Sequence, residues 1–390
     1  MSWLKTDGRV VIPGILMMLV MGSVYSYSVF RLPIESYYDV STSQSGTPYM
    51  LSLFFYAVFM GISGKILERI HLFYVMLIGV FCISIGWLIA YFSSLFILLS
   101  IGYGLFIGTG IGLIYGIPLM VITQQFPHKK GLYLGLVLLG FGLSPFVTAP
   151  FLQSLVENVG LHSTFLVMSV LTLVILTVLA FFYKGYSNTS QHLTLKPFKE
   201  TLKQSNYLFL YLLFFIATFI GLSVIGFSST YAVNVLHYSL KEAAVFVSLF
   251  AIFNGVGRVI FGFLTDRYHL GNVMLLSFVS IMISTLCIVL FVESVMFFIL
   301  AFSILWMNLG GWLAIAPAAT SQLFGNIAYP RNYGFLFSAY GLSALAGVYI
   351  TGNLIDYYGQ YQSTFMLFLI LSTLALFVTL KFKHQLKNII

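Results

Sequence analysis

Residues 131–151 read GLYLGLVLLGFGLSPFVTAPF, and residues 333–352 read YGFLFSAYGLSALAGVYITG. Neither stretch holds a charged residue. Each is about as long as a helix rising 1.5 Å per residue needs to be to cross the roughly 30 Å hydrocarbon core of a bilayer. The two also match: Gly135 and Gly142-Leu143-Ser144 return as Gly334 and Gly341-Leu342-Ser343, an offset of 199 residues. An uncharged run of this length reads as a membrane-spanning helix, and its return half a chain later reads as a duplicated bundle.

The rest of the chain has the same character. Of 390 residues, 60% are hydrophobic and 7% charged, and the mean hydropathy is +1.01; soluble domains carry about 25% charged residues. A soluble globule and a disordered chain are both excluded. The apolar runs are continuous rather than short and alternating, which excludes a transmembrane β-barrel. Twelve spans are expected, at residues 10–30, 47–64, 72–92, 95–121, 131–156, 164–182, 207–235, 243–264, 273–292, 295–323, 333–355 and 365–380. The first is longer than the apolar core of a signal peptide and runs into Phe30-Arg31-Leu32-Pro33 instead of a small-residue cleavage pattern, so it is expected to be retained. Cys82 and Cys287 lie in separate spans and read as packing residues, with no metal site or cofactor implied.

Orientation follows from Lys and Arg, which cytoplasmic loops retain. With the N-terminus inside, fifteen basic residues fall on the cytoplasmic side and two, Arg31 and Lys241, outside, while Glu35, Asp39, Glu157, Glu242, Glu293 and Asp356 are external. Both termini are then cytoplasmic in a multi-pass protein of the cytoplasmic membrane. The net charge of +8 is accounted for by this topology, so it is no nucleic-acid footprint.

Residues 184–206 form the longest hydrophilic stretch, dividing the chain into an N-terminal bundle of six helices at 1–183 and a C-terminal bundle at 207–390. Further anchors repeat. Gly64-x-x-x-Glu68-Arg69 returns as Gly262-x-x-x-Asp266-Arg267, and Thr123-Gln124-x-Phe126 as Ser321-Gln322-x-Phe324, both at an offset of 198. The expected fold class is therefore an all-α integral membrane protein of twelve transmembrane helices in two parallel six-helix repeats. It resembles transporters of the major facilitator type, which place substrate between the halves near the midplane. The loop charges Lys65, Glu68 and Arg69, with Asp266 and Arg267, resemble the facilitator signature in which an acid at a helix end pairs with basic residues to latch the cytoplasmic side; the alternative is that they only set topology. Gly104, Gly108, Gly112 and Gly116 line one ridge of the fourth span, for either static packing or a sliding contact. Pro145, Pro150 and Pro317 bend spans five and ten, as hinges or as fixed curvature.

Arg258 is the one charge read as lying deep in a span. It precedes Asp266 by eight residues, about 12 Å of helix, and an arginine at that depth needs water, a counter-charge or a ligand. All ten acids and all seven histidines fall in loops or near span ends, so the expected partner is a substrate anion. The alternative is an arginine satisfied by helix carbonyls and by Asn254 one turn earlier. Tyr25, Tyr115, Phe141, Trp312, Phe337 and Tyr340 lie within spans one, four, five, ten and eleven, where a tyrosine offers an apolar wall and a hydroxyl for a carboxylate oxygen.

Several motifs are similar to those of the oxalate:formate antiporter family, which groups with monocarboxylate carriers. They are Gly22-Ser23-Val24-Tyr25-Ser26-Tyr27-Ser28-Val29-Phe30, Gly110-x-Gly112-Leu113-Ile114-Tyr115-Gly116, Phe126-Pro127, Gly140-Phe141-Gly142, Asn254-x-x-Gly257-Arg258, Gly310-Gly311-Trp312, Phe324-Gly325, Asn332-Tyr333-Gly334 and Ala339-Tyr340-Gly341. The resemblance implies that Arg258 stands where oxalate carriers hold one arm of a dianion clamp, and that Tyr340 stands where they have a lysine. Oxalate is thereby disfavoured.

The expected function is secondary active transport of a small monocarboxylate such as lactate, pyruvate or formate by alternating access, in a monomer. Symport with a proton and exchange against a counter-anion stay open. The alternatives are an oxalate/formate-type anion exchanger and a proton-coupled drug exporter, the latter opposed by the lack of a buried acid. No G-x-S-x-G, H-E-x-x-H or buried His/Asp pair is present, so an enzyme is not expected.

Overall fold

The computed structural model describes residues 8–126, 130–187, 204–325 and 329–386. Among them twelve helices are long and apolar enough to cross a membrane: α1 (Arg9–Ser26), α2 (Thr42–Leu67), α3 (Leu72–Phe92), α4 (Phe96–Gln125), α5 (Tyr133–Val159), α6 (Leu161–Phe181), α7 (Ser205–Asn234), α8 (Leu240–Arg267), α9 (Leu270–Leu290), α10 (Val295–Phe324), α11 (Arg331–Tyr358) and α12 (Gln362–Lys383). Residues 188–203 of the expected linker, with Lys196, Lys199, Glu200 and Lys203, lie outside the described residues, as do Lys5, Asp7, Lys129 and Lys387. Below, the face carrying both described chain ends is the terminal face, and its opposite is the distal face.

The duplication seen in the sequence is also present in the local chemistry. Ser41 caps the short helix leading into α2, its hydroxyl accepting from Gln44 N while Gln44 reaches back to Ser41 N. Ser239 caps α8 in the same reciprocal way with Glu242, 198 residues on. Close approaches repeat too. A Cβ on Gly112 of α4 would fall 2.6 Å from the Tyr56 carbonyl of α2, and one on Gly310 of α10 would strike the carbonyl of Asn254, which is Tyr56 shifted by 198. Only glycine lets backbones meet at this distance.

The same device seats the halves against each other. A Cβ on Gly142 of α5 would lie 3.1 Å from Gly255 Cα of α8, and one on Gly341 of α11 would lie 2.7 Å from Ala57 Cβ of α2. These residues are counterparts under the repeat, so α5 on α8 and α11 on α2 form one seam twice. Gly104, Gly108 and Gly112 all abut α2 within their own half; Gly116 meets nothing within 4 Å of its missing Cβ.

Two helices depart from the simple span. The first breaks into a 3₁₀ turn at Gly22–Ser26 and resumes as a helix over Ser28–Tyr38. That extension carries Arg31 back into protein, where it is 2% exposed. The expectation of a single deeply buried charge, with Arg31 in an external loop, is therefore corrected: a helix that continues past Phe30 keeps its next turn packed. Span four contains a π-helical stretch at Ser100–Ile107, where Gly102 packs on the Gly86 carbonyl of α3.

Gly310→Val should pry α8 from α10 and destabilise the protein by about 1–3 kcal/mol or more, whereas Gly135→Ala, which meets nothing within 4 Å, should be tolerated. Thermal unfolding of the detergent-purified variants checks the contrast.

Candidate functional site

The 3₁₀ turn in α1 presents Tyr25 to the seam, 1% exposed. Its hydroxyl shares a 2.6 Å hydrogen bond with the hydroxyl of Tyr340 on α11, a bond that joins the two halves directly. Its ring meets Phe141 of α5 edge-on at 5.1 Å. Tyr340 stacks on Phe337 at 4.8 Å, one turn toward the terminal face, and Tyr115 of α4 lies edge-on to Phe141 at 5.4 Å. Five of the six expected aromatics thus form one cluster, in the offset and edge-to-face arrangements that the ring quadrupoles favour.

Tyr56 of α2, absent from the expected set, is the hub of this cluster. Its ring lies 5.1 Å from Tyr115, 6.1 Å from Phe141, 5.4 Å from Phe337 and 5.8 Å from Tyr340. The repeat could have found it, because its counterpart under the 198-residue offset is Asn254. Trp312 stands apart. Its indole Nε1 donates to Ser277 Oγ at 2.9 Å and its ring packs on Phe278 of α9 and Phe214 of α7. Since Gly310 and Gly311 take the face of α10 that meets α8, the next residue is turned toward α9.

Arg258 sits beside the aromatic cluster, 6% exposed, with its guanidinium carbon 5.8 Å from the Phe141 ring centroid. Nη1 donates across the seam to the Leu138 carbonyl of α5 at 3.0 Å. Nε and Nη2 have no hydrogen-bond partner among the described residues, and neither does Asn254 Oδ1. Asn254 Nδ2 donates to the Trp306 carbonyl at 3.2 Å, which fixes the orientation of the amide and leaves Oδ1 as the free end. Buried groups left unpaired in this way cost about 1–3 kcal/mol each, more when charged. Among the described residues every Asp and Glu is exposed or partly exposed, so no buried carboxylate balances the guanidinium.

A second polar set closes the distal end of the seam. Arg31 donates to Ser45 Oγ at 3.0 Å, to the Thr42 carbonyl, and across the halves to the Gly226 carbonyl of α7 at 3.2 Å. Ser45 in turn donates to Glu35 at 2.6 Å. From the other half, Asp356 accepts from the backbone N–H groups of Thr42 and Ser43 at 3.0 and 2.8 Å, and the Tyr49 hydroxyl donates to the Leu222 carbonyl at 3.4 Å. On the terminal face Lys65, Glu68 and Arg69 border a shallow exposed groove, and Asp266 and Arg267 are exposed. Arg267 lies over its neighbour Phe263 at 4.6 Å. Among the described residues none of these five forms an ion pair in this conformation.

Comparisons with known proteins agree with this architecture. The MFS-type transporter YhjX of Escherichia coli strain K12 is 25% identical over 88% of this chain and 87% of its own length. The oxalate:formate antiporter of Oxalobacter formigenes is 25% identical, with 85% and 81% covered, and human monocarboxylate transporter 12 is 22% identical, with 75% and 63% covered. The crystal structure of a bacterial homolog of the human lysosomal transporter Spinster, inward-facing and unoccupied, superposes with a TM-score of 0.74 at 15% identity, covering 97% of each chain. A family profile matches residues 13–327, and with twelve candidate spans among the described residues arranged as a duplicated bundle, the chain belongs to the Major Facilitator Superfamily, a family of transporters and not of enzymes.

Proposed function

We propose that this protein is a secondary carrier that moves a small monocarboxylate across the cytoplasmic membrane, with Arg258 as the anchor of the carboxylate. The observation that carries this reading is the Arg258 guanidinium, buried where α5 meets α8 with two donor nitrogens unpaired and, among the described residues, no buried acid to neutralise it. A carboxylate would satisfy both nitrogens with charge-assisted bonds, which lysine would reproduce only poorly. Tyr25, Tyr115 and Tyr340 would supply hydroxyls, and Phe141 and Phe337 with the hub Tyr56 an apolar wall.

Alternating access supplies the transport step. Separation of the distal ends of the halves would break the Arg31–Gly226 and Asp356–Thr42/Ser43 bonds, and closure of the terminal face would bring the Lys65–Glu68–Arg69 and Asp266–Arg267 segments into play as its latch. The distribution of basic residues supports a cytoplasmic position for both chain ends, and with them for the terminal face. With no buried acid or histidine among the described residues to carry a proton, coupling falls to the substrate's own protonation or to exchange against a second anion.

The relationship to an oxalate:formate antiporter favours a second reading, exchange of a dicarboxylate. Against it, the position that resembles the family lysine is Tyr340, a neutral residue hydrogen-bonded to Tyr25. A dianion held by Arg258 alone would keep its second charge unpaired in a poorly solvated seam, a cost of several kcal/mol.

Three outcomes test this. Arg258→Gln should abolish carboxylate uptake by proteoliposomes while the protein remains folded and inserted; uptake near the parental rate would refute the anchor. Tyr340→Lys should move the preference for oxalate over lactate or formate by more than tenfold, about 1.4 kcal/mol or above, read by competition. Asp356→Asn should loosen the distal seam, so that a single cysteine at Ser43 reacts faster with a membrane-impermeant maleimide than it does with Asp356 intact.

A further inference from the structure

The distal closure is built in two layers. The outer one is polar: Arg31 donates to Ser45 Oγ at 3.0 Å and, across the halves, to the Gly226 carbonyl of α7 at 3.2 Å. The inner one is aromatic. Tyr49 of α2 stands seven residues before Tyr56, about 10 Å nearer the distal face on the same side of the helix, and is fully buried. Its ring lies on that of Tyr27, with centroids 5.6 Å apart and planes within 11° of parallel. Across the seam α7 presents Gly226, where a Cβ would fall 3.1 Å from Tyr49 Cε1, so the ring seats where α7 has no side chain.

Two residues belong to both layers. In the N-terminal half, Ser45 accepts from Arg31 through its hydroxyl and from the Tyr27 hydroxyl through its carbonyl, the latter at 2.6 Å. The residue that positions the polar lid therefore also holds the ring that backs Tyr49. In the C-terminal half, Gly226 offers its carbonyl to Arg31 and its bare Cα to the Tyr49 ring. The Tyr49 hydroxyl contributes little hold of its own, since its bond to the Leu222 carbonyl, at 3.4 Å, is long for an O–H donor. The inner layer is thus a contact of ring shape against a helix groove.

We infer that the polar lid and the aromatic plug are one cooperative gate over the Tyr25–Tyr340 contact, opening and closing together, with Ser45 and Gly226 as the members they share. This goes beyond the carrier reading and needs no substrate. A lid opened alone would leave Arg31 Nη1 and the Gly226 carbonyl without each other above a seam still closed, the loss of a charge-assisted bond. A plug opened alone would leave a void between Tyr27 and Gly226 whose walls forfeit their packing contacts. Both half-open arrangements are penalised, and an interface with two favoured packings and costly intermediates behaves as a switch. Tyr49 is then the gating residue, and Arg31 acts on the inner layer through Ser45 and Gly226.

The test times the labelling of one thiol beneath the plug. Tyr115→Cys, in a full-length protein carrying Cys82→Ser and Cys287→Ser, places that thiol in the aromatic cluster, and a charged, membrane-impermeant methanethiosulfonate reagent is applied to each face of sealed vesicles without substrate. From the distal face, Tyr49→Leu should speed labelling by about tenfold or more, and Arg31→Gln, which leaves every ring in place, by a similar factor. The two changes combined should be little faster than either alone. Tyr49→Phe keeps the ring and should label at the parental rate, Gly226→Val should behave as Tyr49→Leu does, and labelling from the terminal face should rise in none of them. Arg31→Gln that leaves the rate unchanged, or a combined rate equal to the product of the single effects, would show two independent layers and overturn the inference. Tyr49→Phe as fast as Tyr49→Leu would remove the ring from the gate, and a rise at both faces would mark general loosening; either overturns it as well. If Gly226→Val does not fold, Arg31→Gln with Tyr49→Leu decides the matter. No carboxylate enters the experiment, so its failure leaves the carrier reading standing.

Discussion

A guanidinium held in the middle of a membrane bundle with one carbonyl for company is the constraint around which the rest of this protein is arranged. Arg258 has a buried charge, one hydrogen bond across the seam and, among the described residues, two nitrogens without partners. Such a group persists only where the fold is held by other means. Those means are backbone contacts: glycines bring α8 against α10 and α5 against α8 so closely that the helix faces are set by main-chain shape. The aromatic cluster on the neighbouring helices then encloses the charge.

The duplication keeps its frame to within one residue and is broken in chemistry at the site. Capping boxes at Ser41 and Ser239 and paired glycine contacts repeat at offsets of 198 and 199. Yet Tyr56 in one half answers to Asn254 in the other, and Phe141 answers to Tyr340. One repeat contributes mostly rings, the other the charge, the amide and a hydroxyl-bearing ring. A symmetric backbone gives the seam two equivalent contact lines, and asymmetric side chains give it an aromatic side and a charged, polar side.

Much of this was legible in the sequence. Span count follows from apolar run length, the repeat from residue matches, and the depth of Arg258 from helix rise, all one-dimensional quantities. Five of the six chosen aromatics converge because their helices border the seam. What could not be read was direction around a helix. Trp312 lies at a suitable depth but faces α9, because the glycines before it claim the opposite side of α10. Tyr56 was missed because one tyrosine among 25 has no mark of its own outside the repeat. Arg31 was misplaced because a charge one residue past an apolar run looks like the start of a loop, and only the continuing helix Ser28–Tyr38 shows otherwise.

The distal closure has an evolutionary corollary. Arg31 reaches the carbonyls of Thr42 and Gly226, and Asp356 receives the N–H groups of Thr42 and Ser43, so much of the seal is made by main chain. The side chain at 42 can therefore drift without loosening these bonds, whereas Ser43 also offers its hydroxyl to Asp356 and Gly226 lies close against the Tyr49 ring. In related carriers closed this way, the seal should leave no trace as correlated substitution between the two halves. It would show instead as two charges, with serines beside them, that persist while the residue at 42 varies.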